Sequence, residues 1–262
     1  MRRSDRTHQR LDEIVSFGHD PARAEGGTRR GSLSAGAVKS MVAALGSGFE
    51  HESGKKLDLN FGTAGSLRER IKSGESADLV ILSESAIAEL AKLGFVVPAS
   101  VTNLGRTVTG VVVREGASQP DISTPEVFKQ ALLKARSVAY TDPKAGGSGG
   151  IMFSALLQRL GIADEIKKKA FLGKGGHDVA KSIVEGRAEL GTTFISEVLP
   201  VKGTKVVGPL PRELHNANTC TGAIHTLAAS RDGAEALLHK LVEPATRSRW
   251  IAAGLEPAFP DR

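Results

Sequence analysis

Cysteine is nearly absent from this chain: Cys220 stands alone in 262 residues. That excludes an intrachain disulfide and a cysteine-cluster metal site. Aromatic residues make up 4%, with one Trp and one Tyr, so few platforms exist on which single-stranded bases could stack. No apolar run approaches the roughly 20 residues needed to cross a bilayer, and the sequence holds no repeat of about 20–50 residues. Charge of one sign is also scarce. Thirty-five Lys and Arg against 29 Asp and Glu leave +6, thinly spread. The one tight basic run, Lys167-Lys168-Lys169, reads as a solvated helix face. Nucleic acid and membrane insertion are therefore not expected, and a modest positive field suits attraction of a small anion.

What is present is an ordinary globular composition, 40% hydrophobic and 24% charged. Residues 1–31 differ, with seven Lys/Arg, five acidic residues and one apolar patch at Leu11, Ile14, Val15 and Phe17. They lack both the apolar core and the cleavage site of a secretory signal, and read as a disordered or wrongly assigned lead-in. From Ser32 onward short β-like runs alternate with amphipathic helices. Helices are predicted over 37–50, 66–72, 85–92, 125–134, 150–160, 178–185, 232–241 and 244–253. Strands are predicted over 56–61, 77–82, 106–113, 137–140, 170–172, 189–195, 206–207 and 223–229. About nine strands alternating with helices imply an α/β fold with mostly parallel sheets.

Four segments share one design, a strand followed by a small-residue turn and a helix. They are Ser34-Ala35-Gly36, Gly62-Thr63-Ala64-Gly65-Ser66, Thr141 to Gly150, and Gly175-Gly176-His177-Asp178-Val179. The first N–H groups of a helix lack intrahelical partners and carry the positive end of its dipole. Glycine lets an anion approach them, and Ser or Thr adds a hydroxyl donor. Each turn alone reads equally as capping chemistry; Ser66 with Glu69 fits a capping box. Four such ends converging could hold an oxyanion with no Lys or Arg touching it.

Ser34-Ala-Gly-Ala-Val-Lys, Phe61-Gly-Thr-Ala-Gly-Ser-Leu, Gly74-Glu-Ser-Ala-Asp-Leu-Val-Ile, Ala139-Tyr-Thr-Asp-Pro-Lys-Ala-Gly-Gly-Ser-Gly-Gly-Ile and the run Val179 to Glu197 together resemble the molybdate-type extracellular solute-binding proteins of ABC transporters. The resemblance spans roughly Gly31 to Phe259. It implies a two-lobed type II periplasmic-binding fold, each lobe a mostly parallel sheet flanked by helices, with the ligand in the cleft between them. Lobe 1 would comprise 32–111 plus 207–262, and lobe 2 would comprise 112–206. It also implies a non-enzymatic importer component with no cofactor, a transmembrane permease as partner, a monomeric state and a periplasmic location. The lead-in, lacking a signal, leaves a cytoplasmic relative as the alternative.

In relatives that bind molybdate, contacts come from a serine in the first loop, a hydroxyl residue in the second, backbone N–H groups in the third and fourth, and a late tyrosine. Carried over, these point to Ser34 and Ala35; Thr63, Ala64 and Gly65; Ser148 and Gly149; and His177, Asp178 and Val179. The tyrosine's position holds Phe194, so that hydroxyl is missing, and Thr192 or Thr193 is the substitute donor. A molybdate- or tungstate-like oxyanion is the expected ligand, with a small organic carboxylate or sulfonate, resting on the Phe194 ring, as the alternative. A second departure is Gly27-Thr-Arg-Arg-Gly31, a poor start for a core strand.

Two other classes find less support. His177-Asp178 with Ser148 or Ser34 would suit a hydrolase, but no Gly-x-Ser-x-Gly elbow is present. A ligand-sensing regulatory domain would need a helix-turn-helix, for which Met1–Gly31 is too short. The seven histidines are scattered without metal-ligand spacing, and no motif activates Cys220.

Overall fold

The computed structural model describes residues 31–54, 56–215 and 218–261. All but the last residue of the expected lead-in lies outside these. Gly31 itself opens β1 (Gly31–Ala35), which passes through one 3₁₀ turn into α1 (Lys39–Ser53). Val38, Met41, Val42, Leu45 and Phe49 are buried at three- and four-residue spacing, the stripe by which a helix packs on a sheet. Gly54 closes α1 at φ 68°, a left-handed cap that costs glycine no Cβ clash. Then come β2 (Asp58–Gly62), α2 (Ala64–Lys72), β3 (Leu79–Ser83), α3 (Glu84–Lys92), β4 (Thr102–Thr107), β5 (Thr109–Arg114) and α4 (Pro125–Lys134). β6 (Val138–Thr141), α5 (Ser148–Arg159), α6 (Ala163–Lys167), β7 (Ala170–Gly173), α7 (Gly176–Val184), β8 (Leu190–Phe194), α8 (Ile195–Val198) and β9 (Thr204–Pro209) follow. β10 (Asn218–Ile224), α9 (Arg231–Leu241), α10 (Arg247–Ala252) and β11 (Leu255–Pro257) complete the order.

The strands form two sheets, β11-β4-β10-β3-β1-β2 and β7-β6-β8-β5-β9. Both repeat one arrangement. Three parallel strands place the first between the second and third, and an antiparallel strand arriving from the other sheet lies beside the third. That strand is β10 beside β3 in one sheet and β5 beside β8 in the other. The fold is the expected two-lobed α/β architecture, but its sheets are mixed rather than mostly parallel, because each crossing strand enters antiparallel. The chain changes sheets at Val108 and again between the end of β9 and the start of β10, whereas the sequence placed the lobe boundaries at 111/112 and 206/207.

The expected single strand over 106–113 is in fact two strands in different sheets. β-propensity runs unbroken through it, yet Val108 gives its carbonyl to the Ile195 amide at 2.9 Å instead of to a ladder. β1 also departs from expectation. Ser32 to Ala35 are buried, and the strand sits between β2 and β3 with partners on both sides, so neighbours rather than propensity define it. β10 lies at 218–224 instead of 223–229. Beyond Ile224 only an isolated bridge remains, from His225 to Val96. Of the basic run, Lys169 is not simply solvated, since its Nζ donates to the Leu133 and Ala135 carbonyls at the end of α4.

Candidate ligand-binding cleft

In open α/β sheets the ligand crevice lies beyond the carboxyl ends of the parallel strands. There β1, β2, β6 and β7 deliver their loops to one cleft of about 610 Å³ between the two sheets. Ala35, Thr63, Ala64, Ser148, Gly149, His177, Asp178 and Phe194, all singled out from sequence, line it. Ser34, Gly65 and Val179 do not. Ser34 is fully buried, with its Oγ 3.5 Å from the Ala35 carbonyl oxygen, because strand alternation turns it away from the opening. Val179 is fully buried with Ala180 and Ile183, on the sheet-facing stripe of α7. Gly65 instead meets the facing loop, its amide donating to the Gly146 carbonyl at 3.0 Å.

Three of the four turns reach the cleft without a side-chain cap from the residue before the helix: the turn at Gly36, α5 after Gly147 and α7 after Gly175. In α7 the first amide, Gly176, is instead taken by the Glu197 carboxylate. The fourth is closed. Thr63 Oγ1 accepts from the Ser66 amide at 3.1 Å and donates to the Ala145 carbonyl at 2.7 Å. Thr63 is thus the cap of α2, correcting the Ser66–Glu69 capping box, and its hydroxyl proton serves the contact between lobes. Ser196 Oγ, donating to the Ala37 carbonyl at 2.7 Å, is a second tie across the cleft. Asp178 accepts from the Lys174 amide at 3.0 Å and so shapes its own loop. Neither His177 nor Ser148 is hydrogen-bonded to the other or to Asp178 among the described residues, so the pieces of a hydrolytic triad are not assembled.

Sequence reasoning missed several cleft residues. Arg70 and Lys174 line the wall, contrary to a cleft free of Lys and Arg. Arg70 is held by Glu75 through Nε at 2.6 Å and Nη2 at 2.5 Å, and that pairing raises its pKa. Lys174 is exposed and makes no ion pair among the described residues. Phe61 is half-buried on the first-lobe side. Phe194 is 3% exposed and packs into the first lobe's core although it ends a second-lobe strand. Its ring lies where a Cβ on Gly149 would come within 3.2 Å. Neither of the two threonines before it lines the cleft: Thr193 is buried and gives its hydroxyl to Glu197, and Thr192 Oγ1 is buried without a partner among the described residues.

The principal omission is Glu197, half-buried and lining the cleft. Its Oε2 accepts from Thr193 Oγ1 at 3.2 Å, and the Gly176 amide also donates to the carboxylate. Burial nevertheless outweighs these bonds and pushes its pKa up to about 7. Only the meeting of the two lobes brings Glu197 between Gly36 and Gly176, a proximity with no signal in the local sequence.

The sequence profile of the family described as bacterial extracellular solute-binding protein matches residues 32–256. The chain belongs to that family. It is 30% identical over 234 residues to aconitate isomerase of Pseudomonas sp, covering 86% of each protein. It is 26% identical over 170 residues to the molybdate-binding protein ModA of Escherichia coli, covering 64% of this chain and 65% of that one. The fold superimposes on the periplasmic molybdate-binding protein of Azotobacter vinelandii with a TM-score of 0.72 at 17% identity, over 86% of this chain and 98% of the other. Two of these relatives are named for molybdate and one for aconitate, so the names do not agree on a ligand. One is named as an isomerase, so membership alone does not make the chain a binder without chemistry.

No helix among the described residues is long and apolar enough to cross a membrane. No group of three or more His, Cys, Asp or Glu among them is placed to hold a metal ion.

Proposed function

We propose that this chain is the extracytoplasmic solute-binding component of an ABC importer, taking a small organic polycarboxylate between its lobes and presenting it to a permease. In this reading the lobes divide where the chain changes sheets, and the protein acts as a monomer. The observation that carries it is the cleft's mixed wall, in which the half-buried Phe61 ring, Lys174 and the turn before α5, with no side-chain cap, line one opening, whereas Phe194 is too deeply buried to offer its ring. A ring offers a carbon skeleton something apolar to rest on, while the donors take its carboxylates. Ser148, Gly149 and His177 supply the donor side in this arrangement, and Lys174 adds charge. A cleft of about 610 Å³ falls in the range of about 300–1,000 Å³ usual for small-molecule sites. The isomerase relative's named substrate is of this chemical class.

A second reading keeps a tetrahedral oxyanion, favoured by the backbone donors and by the molybdate-binding relatives. A thermal-shift screen separates the two, since a ligand at 100 times its Kd adds about 2.7 kcal/mol. Stabilisation by cis-aconitate, trans-aconitate or citrate is expected. A response to molybdate, tungstate or sulfate alone would give the second reading the cleft. Within the first reading, Lys174→Ala is expected to weaken carboxylate binding by about 1–3 kcal/mol, the scale of a hydrogen bond to a charged group.

A further inference from the structure

A carboxylate at the base of an anion cleft repels the anion unless it carries a proton or handles one. Glu197 is placed there by both lobes. A Cβ on Gly36 would come within 3.2 Å of its Oε1, and one on Gly176 would overlap Oε2. Both positions therefore lack side chains where the carboxyl needs room. Thr193 Oγ1 and the Gly176 amide fix it from the second lobe. It forms no ion pair among the described residues. The ionisable groups around it are Cys220, buried and under the influence of its charge, and the cleft-lining His177, Asp178, Lys174 and Arg70.

We propose that Glu197 is a general acid–base that carries a proton between two carbons of a bound unsaturated polycarboxylate, so that the cleft isomerises this ligand as well as holding it. The proposal rests on the polycarboxylate reading above. Glu197, ionised, takes a proton from the methylene between a carboxylate and a carbon–carbon double bond. The C–H electron pair moves into a new double bond to the neighbouring carbon, and the original double bond's electrons spread onto its far carbon and the carboxylate there. The same carboxyl then returns its proton to that far carbon. One C–H bond breaks and one forms, nothing is oxidised or reduced, and no co-reactant is consumed. Charge growing on the ligand is met by the leading amides of α5 and by Lys174, donors already in place before the step. A carboxyl titrating near neutrality is suited to both halves of the transfer.

The test uses the full chain in deuterium oxide with cis-aconitate as probe, following isomer and deuterium by NMR and affinity by calorimetry. Wild type is expected to bind cis-aconitate, shift its double bond and place deuterium on carbon. Glu197→Gln is expected to slow exchange by about 100-fold or more with Kd changed less than about 10-fold. Glu197→Asp, which withdraws the carboxyl by one methylene, is expected to fall between them. The wild-type exchange rate is expected to bend near pH 7, a readout that needs no variant. Binding without exchange in wild type overturns the proposal while leaving the binding reading intact, as does undiminished exchange in Glu197→Gln. Failure of cis-aconitate and citrate to bind overturns the reading beneath it.

Discussion

Glu197 holds its proton more tightly in the folded chain than an ordinary glutamate at about 4.5, because burial raises its pKa to about 7. The sign follows from linkage. Stability from this group is fully present below about 4.5 and is lost as pH rises through about 7. Glu197→Gln is therefore expected to match wild type in urea unfolding at pH 5 and to exceed it at pH 8.5 by about 1–3 kcal/mol. The same offset at both pH values would contradict the assignment. Cys220 lies in the same neighbourhood, its thiol pushed up to about 12 by burial first and by the Glu197 charge second. A thiol-specific reagent at pH 8 is expected to label it roughly a thousandfold more slowly in the folded protein than in urea, following the lost thiolate. Glu197 does not announce itself in sequence, because desolvation by a distant glycine turn has no local pattern. Ser34 shows the converse error, a hydroxyl in the right motif that alternation directs into the sheet.

At the scale of elements, the loop after β2 and the loop after β6 meet backbone to backbone. A Cβ on Gly65 would stand 2.9 Å from both Cα and O of Gly146, and Gly146 itself sits at φ 73°. Gly65→Ala must push these loops apart, at about 1–3 kcal/mol for overpacking. Ligand affinity is expected to fall by about 5–150-fold, with a larger radius of gyration by small-angle X-ray scattering in saturating ligand. Unchanged affinity and unchanged compaction would show that this contact has no part in closure. The helices whose apolar stripes face a sheet, α1 and α4 among them, were legible because periodicity reports burial directly. β4 and β5 were not separable, since the bend at Val108 depends on α8 arriving from nearly ninety residues later. Nor was β11, three residues whose pairing with β4 is tertiary. The cleft loops were legible as turns; which of their amides lack a side-chain cap was not.

Across the whole molecule, the two sheets differ in how their strands are distributed along the chain. Every strand of the second comes from one continuous stretch, 109–209, while the first draws on both sides of it, with β10 wedged between β3 and β4. During synthesis the inserted body is therefore complete long before its host. Until Asn218 has been made, β3 lacks the neighbour that joins it to β4, and closing that gap spans more than 110 residues of chain. Non-local pairing of this kind is slow, and in chains of this size parts fold as units. Pulse-labelled hydrogen exchange on refolding protein is expected to protect the amides of β6 and β8 before those of β3 and β10; simultaneous protection would count against this order. A host sheet left open while its guest is finished exposes two unsatisfied strand edges, and the interval before β10 arrives is when this chain is most exposed to association with its own copies.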